Sequence, residues 1–435
     1  MKSDVEENID ADLNAADVQP FEVSGGASAF PPSVQPGIPK LGRKPRGWTR
    51  APIGEFLEPV FRTAKLVDDE RYQLVTAKRS RGGIVPRAIL YGRDIHTKTQ
   101  FYVEANDFLI SRRQISHGAC GLVPANLDGA VVSNEYVALK PKSGLDLRFL
   151  QHLSHSVYFQ QTCFHSSIGV HVEKLVFKIE DWLEWEIDVP PMAEQRRIAD
   201  ILDAWDRAIA HTEALIDAKR RRKAELTRRL LHEGGERNGR LGDLAAINPR
   251  GPRVSENSSV SFVPMDAVSE DGRLIINLAR RRGEIGSGYT GFVDNDVLVA
   301  KITPCFENGK GGHVCGLHSG VGFGSTEFHV LRPNDQGDAR FIHHHIMAAA
   351  FRRNGERYMT GSAGQRRVPA AFIEDYRIPL MDAERRRNAA SILDAADNEI
   401  GLLQQELRRL TDQKRGLMQK LLSGDMRLSS MEAAE

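Results

Sequence analysis

Several places in this sequence hold residue types that could carry out chemistry, and each lacks a part. Pro190-Pro191 would suit the Asp/Asn-Pro-Pro-Tyr/Phe stretch that holds a flipped base for methyl transfer. Here Val189 precedes the pair and Met192 follows, with no aromatic ring to stack, so the prolines read as a helix entrance. Gly320-Val321-Gly322-Phe323-Gly324 could pass for a glycine-rich cofactor loop, but its counterpart Gly129-Ala130-Val131-Val132 is not glycine-rich. No phosphate-binding Gly-x4-Gly-Lys-Ser/Thr loop occurs. His343-His344-His345 invites a metal, yet neighbouring residues on a helix point in different directions and cannot easily share one ion. Cys305 and Cys315 have no second ligand pair at zinc spacing. Glu180, Asp181, Glu184, Glu186 and Asp188 form a dense acidic patch without the lysine a nuclease centre needs, and read as a solvated face or a partner contact. No catalytic, cofactor or metal residue is therefore assigned.

Positive groups remain. The net charge is +1, but residues 1–22 hold one lysine against seven carboxylates, so the rest of the chain is distinctly basic. Basic clusters at Lys40–Arg50, Lys78–Arg81, Arg112–Arg113, Lys219–Lys223 and Arg280–Arg282 suit a polyanion. Arginine and lysine neutralise phosphates, arginine also reads guanine edges, and Asn or Gln can read adenine. The candidate contacts are Lys78, Arg79, Arg81, Arg112, Arg113 and Gln114 in the first half, and Lys301, Lys310, Gln365, Arg366 and Arg367 in the second, with Arg280–Arg282 behind them.

The elements that must position these groups are written twice. PMAEQRRIADILDAWDRAI, Pro191 to Ile209, returns as LMDAERRRNAASILDAADNEI, Leu380 to Ile400. Ile53-Gly54-Glu55 matches Leu241-Gly242-Asp243, and Tyr72–Val75 corresponds to Phe262–Met265. Asn106–Ile110 matches Asn295–Val299, Ser133–Pro141 matches Ser325–Pro333, and Arg148-Phe149 matches Arg340-Phe341. So many matches in one order identify an internal repeat. Asn-Asp is a turn signal before a short apolar strand, and the alternation around it predicts a β-rich module in each half.

A long helix follows each module, over about Ala193 to Glu233 with Gly234-Gly235 as its stop, and from the N-cap Asp382 to Ser423 with Gly424 as its stop. At ~1.5 Å per residue, about forty residues give a rod of ~60 Å. Leu202, Ile209, Ile216 and Leu230 keep one heptad phase, which Lys223 interrupts; Leu393, Ile400, Leu407 and Leu421 keep the same beat, interrupted at the equivalent Lys414. Sustained heptads predict a coiled coil, each helix partnering the other within the chain, with the lysines forming a polar layer or an exposed turn. The fold class is α+β: two β-rich domains, each followed by a long helix, the helices forming an antiparallel intramolecular coiled coil. The expected boundaries are a disordered tail at 1–45, acidic and then rich in Pro and Gly, domains at 46–192 and 236–381, helices at 193–235 and 382–424, and a short tail at 425–435. Paired basic modules suit duplex DNA, whose groove repeats every ~34 Å.

The chain resembles the specificity (S) subunits of type I restriction-modification systems. The resemblance rests on Pro190-Pro191-Met192-Ala193-Glu194-Gln195-Arg196-Arg197-Ile198-Ala199, then Ile201-Leu202, Asp206, Lys219, Lys223 and Leu230-Leu231. The second copy keeps Ile392-Leu393-Asp394, Lys414 and Leu421-Leu422-Ser423-Gly424 but has Glu384-Arg385-Arg386 where Glu-Gln-Arg is usual. Asn106–Ser111 and Asn295–Lys301, and Gly364-Gln365 with Pro379, carry the look of the family's target-recognition domains; the nearest match to Gly-Gln in the first half is Gly169-Val170. The resemblance implies a DNA-reading subunit without catalysis of its own. It would bind double-stranded DNA at a bipartite asymmetric site and bridge two copies of a methyltransferase subunit, with restriction subunits completing the complex. S-adenosylmethionine, ATP and Mg would bind those partners.

No apolar run is long enough to span a bilayer, and no secretory signal opens the chain, so a cytoplasmic location is expected. The competing readings are a self-sufficient restriction or modification enzyme, which the missing motifs oppose, and a protein-binding scaffold. Salt-dependent DNA affinity separates the scaffold from the DNA reader.

Overall fold

A computed structural model describes residues 37–169, 175–233, 239–274, 278–362, 364–379 and 381–427. Most of the expected N-terminal tail, Val170, the Gly234-Gly235 helix stop and the last eight residues lie outside these. The chain divides into two units. One takes everything up to Ile209 together with Arg408 onward; the other is Ala210–Leu407. Each unit holds one β-rich module and half of each long helix.

The first module is built on a four-stranded antiparallel sheet in the order Leu57–Val60, Tyr136–Pro141, Phe108–Ser111, Cys120–Leu122. The second repeats it with Ala245–Ile247, Phe328–Pro333, Val297–Ala300 and Gly311–His313. Asn106 and Asn295 enter these sheets in the left-handed conformation, φ 72° and 70°, which asparagine tolerates best among side-chain-bearing residues. The aspartate after each is buried and takes an arginine fork: Arg62 on Asp107, and Arg332 on Asp296. A smaller antiparallel pair closes each module, Thr49–Pro52 with Glu186–Val189 and Gly239–Arg240 with Arg377–Ile378.

A second sheet shifts one expected equivalence. Leu74 lies opposite Val131 in a parallel pair, and Phe262 lies opposite Phe323 in the matching pair. Phe262 is therefore the counterpart of Leu74, not of Tyr72. A slip of two residues leaves every side chain on its original face, so alternation cannot reveal it.

The long helices span Met192–His232 and Ala383–Leu422. Asp382 caps the second, accepting from the Arg385 N–H, and Gly424 ends it at φ 72°. A Cβ on Gly424 would also meet Pro45 Cγ at 2.4 Å. In the first unit, Ile198 and Leu202 of the first helix and Met418 and Leu421 of the second join the module core around Phe108, Phe149 and Trp182. In the other, Leu231 and Leu393 join a core around Phe306, Phe341 and Phe351. The heptad positions thus serve two purposes, helix against helix and helix against module. Ile216, Ile400 and Leu421 are buried, while Ile209, Leu230 and Leu407 are half-buried.

Each of the two lysines that interrupt the heptads forms a polar layer within its own unit. Lys414, only 6% exposed, pairs with Asp206 in one unit, and Lys223 pairs with Asp397 at 2.5 Å in the other. The residue numbers of the two pairs add to the same total, so both follow one antiparallel register. One turn away, Asp203 accepts from the buried His152 Nε2–H at 2.8 Å and from Arg148. Asp394 accepts from His344 Nε2–H at 2.7 Å and from Arg340 in the same way. Carboxylates three residues apart share a helix face. Each Asp-x-x-Asp therefore holds the opposite helix with one carboxylate and its own module with the other.

The helix entrance differs between copies. Buried Gln195 donates to the Gly144 and Pro190 carbonyls and accepts from the Asp146 N–H. Its place in the second copy is taken by Arg386, whose guanidinium grips Asp338 at 2.7 and 2.8 Å. Matching Glu384 to Glu194 by letter puts Arg385 there instead; Arg385 faces solvent. Residues 37–45, expected within the tail, have no helix or strand, yet Pro39 is buried and the Gly42 carbonyl accepts from Arg50.

Lys414→Ala should lower the stability of the folded chain by about 1–3 kcal/mol, less than a fully buried pair would because the Asp206 side chain is half open. Lys223→Ala should cost less, its pair being more exposed, and thermal unfolding of the two variants measures the difference. Burial pushes His152, His155, His329 and His343 below the ordinary value of 6.5 and His313 down to about 4. The folded chain thus refuses protons that the unfolded chain accepts below about pH 6.5. Stability is predicted to fall as pH drops from there toward about 4, and His343→Phe should flatten that dependence in a pH series of unfolding midpoints.

Candidate nucleic-acid interface

The candidate residues of the first module gather where strand Phe108–Ser111 leaves the central sheet. The turn after strand Arg71–Ala77 lies on the following loop through the Ser80 N–H to His117 O and the Arg81 N–H to Gly118 O. Exposed Arg79 donates through Nε to Gln114 Oε1 at 2.7 Å. Arg112 donates its N–H to Glu135 O and accepts the Phe177 N–H on its own carbonyl. Next to it, Arg113 donates to the Glu135 carboxylate at 2.6 Å. Lys78, Arg79, Arg112, Arg113 and Gln114 are thus one cluster, built from two loops and held by Glu135 on a third.

Arg81 is a correction. Its backbone is left-handed, φ 59°, and its side chain is turned inward, 6% exposed, beside Cys120 and Cys163. Burial pushes its guanidinium down to about 10. It braces the turn that presents its neighbours and cannot reach a ligand from there.

The second module builds the same corner from equivalent backbone. The Lys301 N–H donates to Glu327 O, and the Val368 N–H returns to Lys301 O. The Thr303 N–H to Arg366 O draws in the loop that carries Gln365, Arg366 and Arg367. Arg367 forks onto Glu327 at 2.8 and 3.0 Å, and Arg366 reaches Glu307 at 3.4 Å. Arg367 holds the Glu327 carboxyl below its usual range. Lys310 is half-buried and donates to the Met265 carbonyl, which leaves it less available than the arginines. Arg280 lies on the outer strand Ala279–Arg281 and stacks over Phe262 at 5.0 Å, and Arg282, just after that strand, stacks over Phe323 at 4.5 Å. In the basic run on the first long helix, Lys219 pairs with Glu399 and Lys223 with Asp397, while Arg221 and Arg222 are exposed.

The three adjacent histidines turn to three neighbours. His343 lies by Gly272, His344 bonds Asp394, and His345 packs on Phe341. His152, Asp203 and Asp206 do bring ligand-type atoms within 4.8 Å of one another, and the cation there is Lys414's own ammonium. In the acidic patch, Asp188 is buried and holds the Arg50 fork at 2.7 and 2.8 Å. Sequence reasoning missed Glu135 and Glu327. Their only signal was the repeated Ser-x-Glu before each strand.

Arg81→Ala should lower the thermal midpoint, a loss of about 1–3 kcal/mol, while Lys78→Ala and Arg79→Ala should stay within about 0.5 kcal/mol of the parent. Equal midpoints for all three would contradict this placement.

Known proteins resemble this chain in these parts. Residues 45–218 match the family described as type I restriction modification DNA specificity domain. The specificity subunit of the type I restriction enzyme EcoEI of Escherichia coli is 44% identical over 142 residues, 32% of this chain and 24% of that relative, so the chain spans about a quarter of its length. The MjaVIII specificity subunit of Methanocaldococcus jannaschii is 21% identical over 440 residues, 89% of this chain and 95% of that one. The crystal structure of the type I restriction-modification S subunit from M. genitalium shares the fold, with TM-score 0.53 and 15% identity over 89% of this chain and 99% of that chain. Residues 45–218 are thus similar to the type I restriction modification DNA specificity domain, and the chain shares its fold with the M. genitalium S subunit.

Proposed function

We propose that this chain reads DNA for a type I restriction-modification assembly and performs no catalysis itself. Each module reads one block of a bipartite, asymmetric site in double-stranded DNA, and the long helices set the gap between the blocks. The chain bridges two copies of a methyltransferase subunit and serves restriction subunits where they are present. S-adenosylmethionine, ATP and Mg act on those partners. The assembly works in the cytoplasm, where its DNA is. Among the described residues no helix is long and apolar enough to cross a membrane.

One observation carries the reading. Two modules with the same sheet and the same carboxylate docking present unlike side chains at corners tied down by matching backbone hydrogen bonds. Arg79, Arg113 and Gln114 form one corner and Lys301, Arg366 and Arg367 the other. Arginine and amide groups are the side chains that read guanine and adenine edges. Unlike corners on a repeated frame suit two unlike blocks.

The test is a methylome. Co-expression with the methyltransferase encoded beside this chain, followed by long-read mapping of modified bases, should reveal two unlike blocks around a fixed gap. An unchanged methylome from a stable complex would overturn the reading and favour a protein-binding scaffold.

A further inference from the structure

Both modules place a glutamate at the same point. Glu135 and Glu327 precede the strands Tyr136–Pro141 and Phe328–Pro333, and their carbonyls accept the Arg112 and Lys301 N–H groups. Each carboxylate also holds an arginine, but the arginines come from different elements. Arg113 follows strand Phe108–Ser111, whereas Arg367 lies on the loop before helix Ala370–Glu374. The backbone counterparts of these arginines in the opposite module are Ile302 and Val176, neither of them charged. The arginine has changed its place in the chain while its pairing with the glutamate is the same.

Packing does not require this pair. The Arg113 and Glu135 side chains are 53% and 44% exposed, and those of Arg367 and Glu327 are 44% and 23% exposed. The contrast is with Asp107 and Asp296, at 4% and 1%, whose arginine forks stiffen the sheet entrance. An exposed ion pair adds little stability. It does fix the direction of a guanidinium, by one Nε bond at Arg113 and a fork at Arg367, and cancel its charge.

We infer that Glu135 and Glu327 are specificity-determining positioning residues that hold Arg113 and Arg367 for base edges and against bare phosphate; the inference rests on the DNA-reading function proposed above. An arginine that leaves its glutamate for a phosphate brings the carboxylate close to a second negative charge, which opposes the exchange. An arginine that leaves it for guanine O6 and N7 meets no such charge. The released carboxylate can then accept from a cytosine N4 amine. The glutamate thus weakens non-specific binding more than specific binding.

The experiment uses the full chain, a short fluorescein-labelled duplex of arbitrary sequence as probe, and anisotropy over a KCl series. Glu135→Gln and Glu327→Gln should each bind this duplex about threefold or more tightly. The slope of log K against log salt should steepen by ~0.9 for each arginine released to a phosphate. The gain should vanish when Arg113→Gln or Arg367→Gln is added, and Glu→Asp should restore the parent slope. Gln variants that fold with the parent's thermal midpoint and leave affinity and slope unchanged would overturn the inference while the DNA reading stands. A Gln variant that fails to fold would also overturn it, because the pair would then be structural. A parent chain with no salt-dependent affinity for duplex DNA would overturn the DNA reading and this inference with it.

Discussion

A lysine ammonium set against an aspartate of the opposite long helix is the constraint on which both units depend. A heptad of leucine and isoleucine alone leaves an antiparallel pair free to slip by a whole repeat. Lys414 cannot slip, because any other register would bury its charge without Asp206. The same holds for Lys223 and Asp397. One turn earlier on each helix, Asp203 and Asp394 take the histidine and arginine of their own modules. Register between helices and docking of each module are thereby one network of charges. Shifting the helix pair would also pull Met418 and Leu421 out of the core they share with Ile198 and Leu202.

This network separates what must stay the same from what can differ. The sheet, its left-handed asparagine, the buried aspartate and the Asp-x-x-Asp rung recur in both modules with matching geometry. Where a partner changes, the chemistry is made good locally. Arg386 replaces Gln195 and grips the Asp338 carboxylate, where Gln195 had used backbone groups. The outward corners obey no such restriction. Their loops are fixed by backbone hydrogen bonds to the frame, so their side chains can vary without cost to the core.

The repeat, the β-rich modules and the long helices were legible in the sequence because alternation and heptads follow from burial. The Asn-Asp turns were legible because few residues accept a positive φ. What stayed hidden depended on partners distant in the chain. The two-residue slip at Leu74 preserves sidedness and so left the pattern intact. The inward turn of Arg81 requires knowing that Gly118 and Cys120 lie beneath it. Lys223 and Lys414 stood out as interruptions, but only their aspartates across the helix pair make them a polar layer. Glu135 and Glu327 were visible as matched letters; the arginines that give them meaning sit at unmatched positions.

The proposed function requires two interchangeable frames to carry two different readings. Replacing residues 239–378 with a second copy of residues 49–189 tests it most directly, since both segments run between the paired strands that close a module. The methylome of a strain carrying this chain and its methyltransferase would be the readout. The expected site has the first module's block at both ends of the gap. A folded chain that still directs methylation to the original unlike blocks would contradict it.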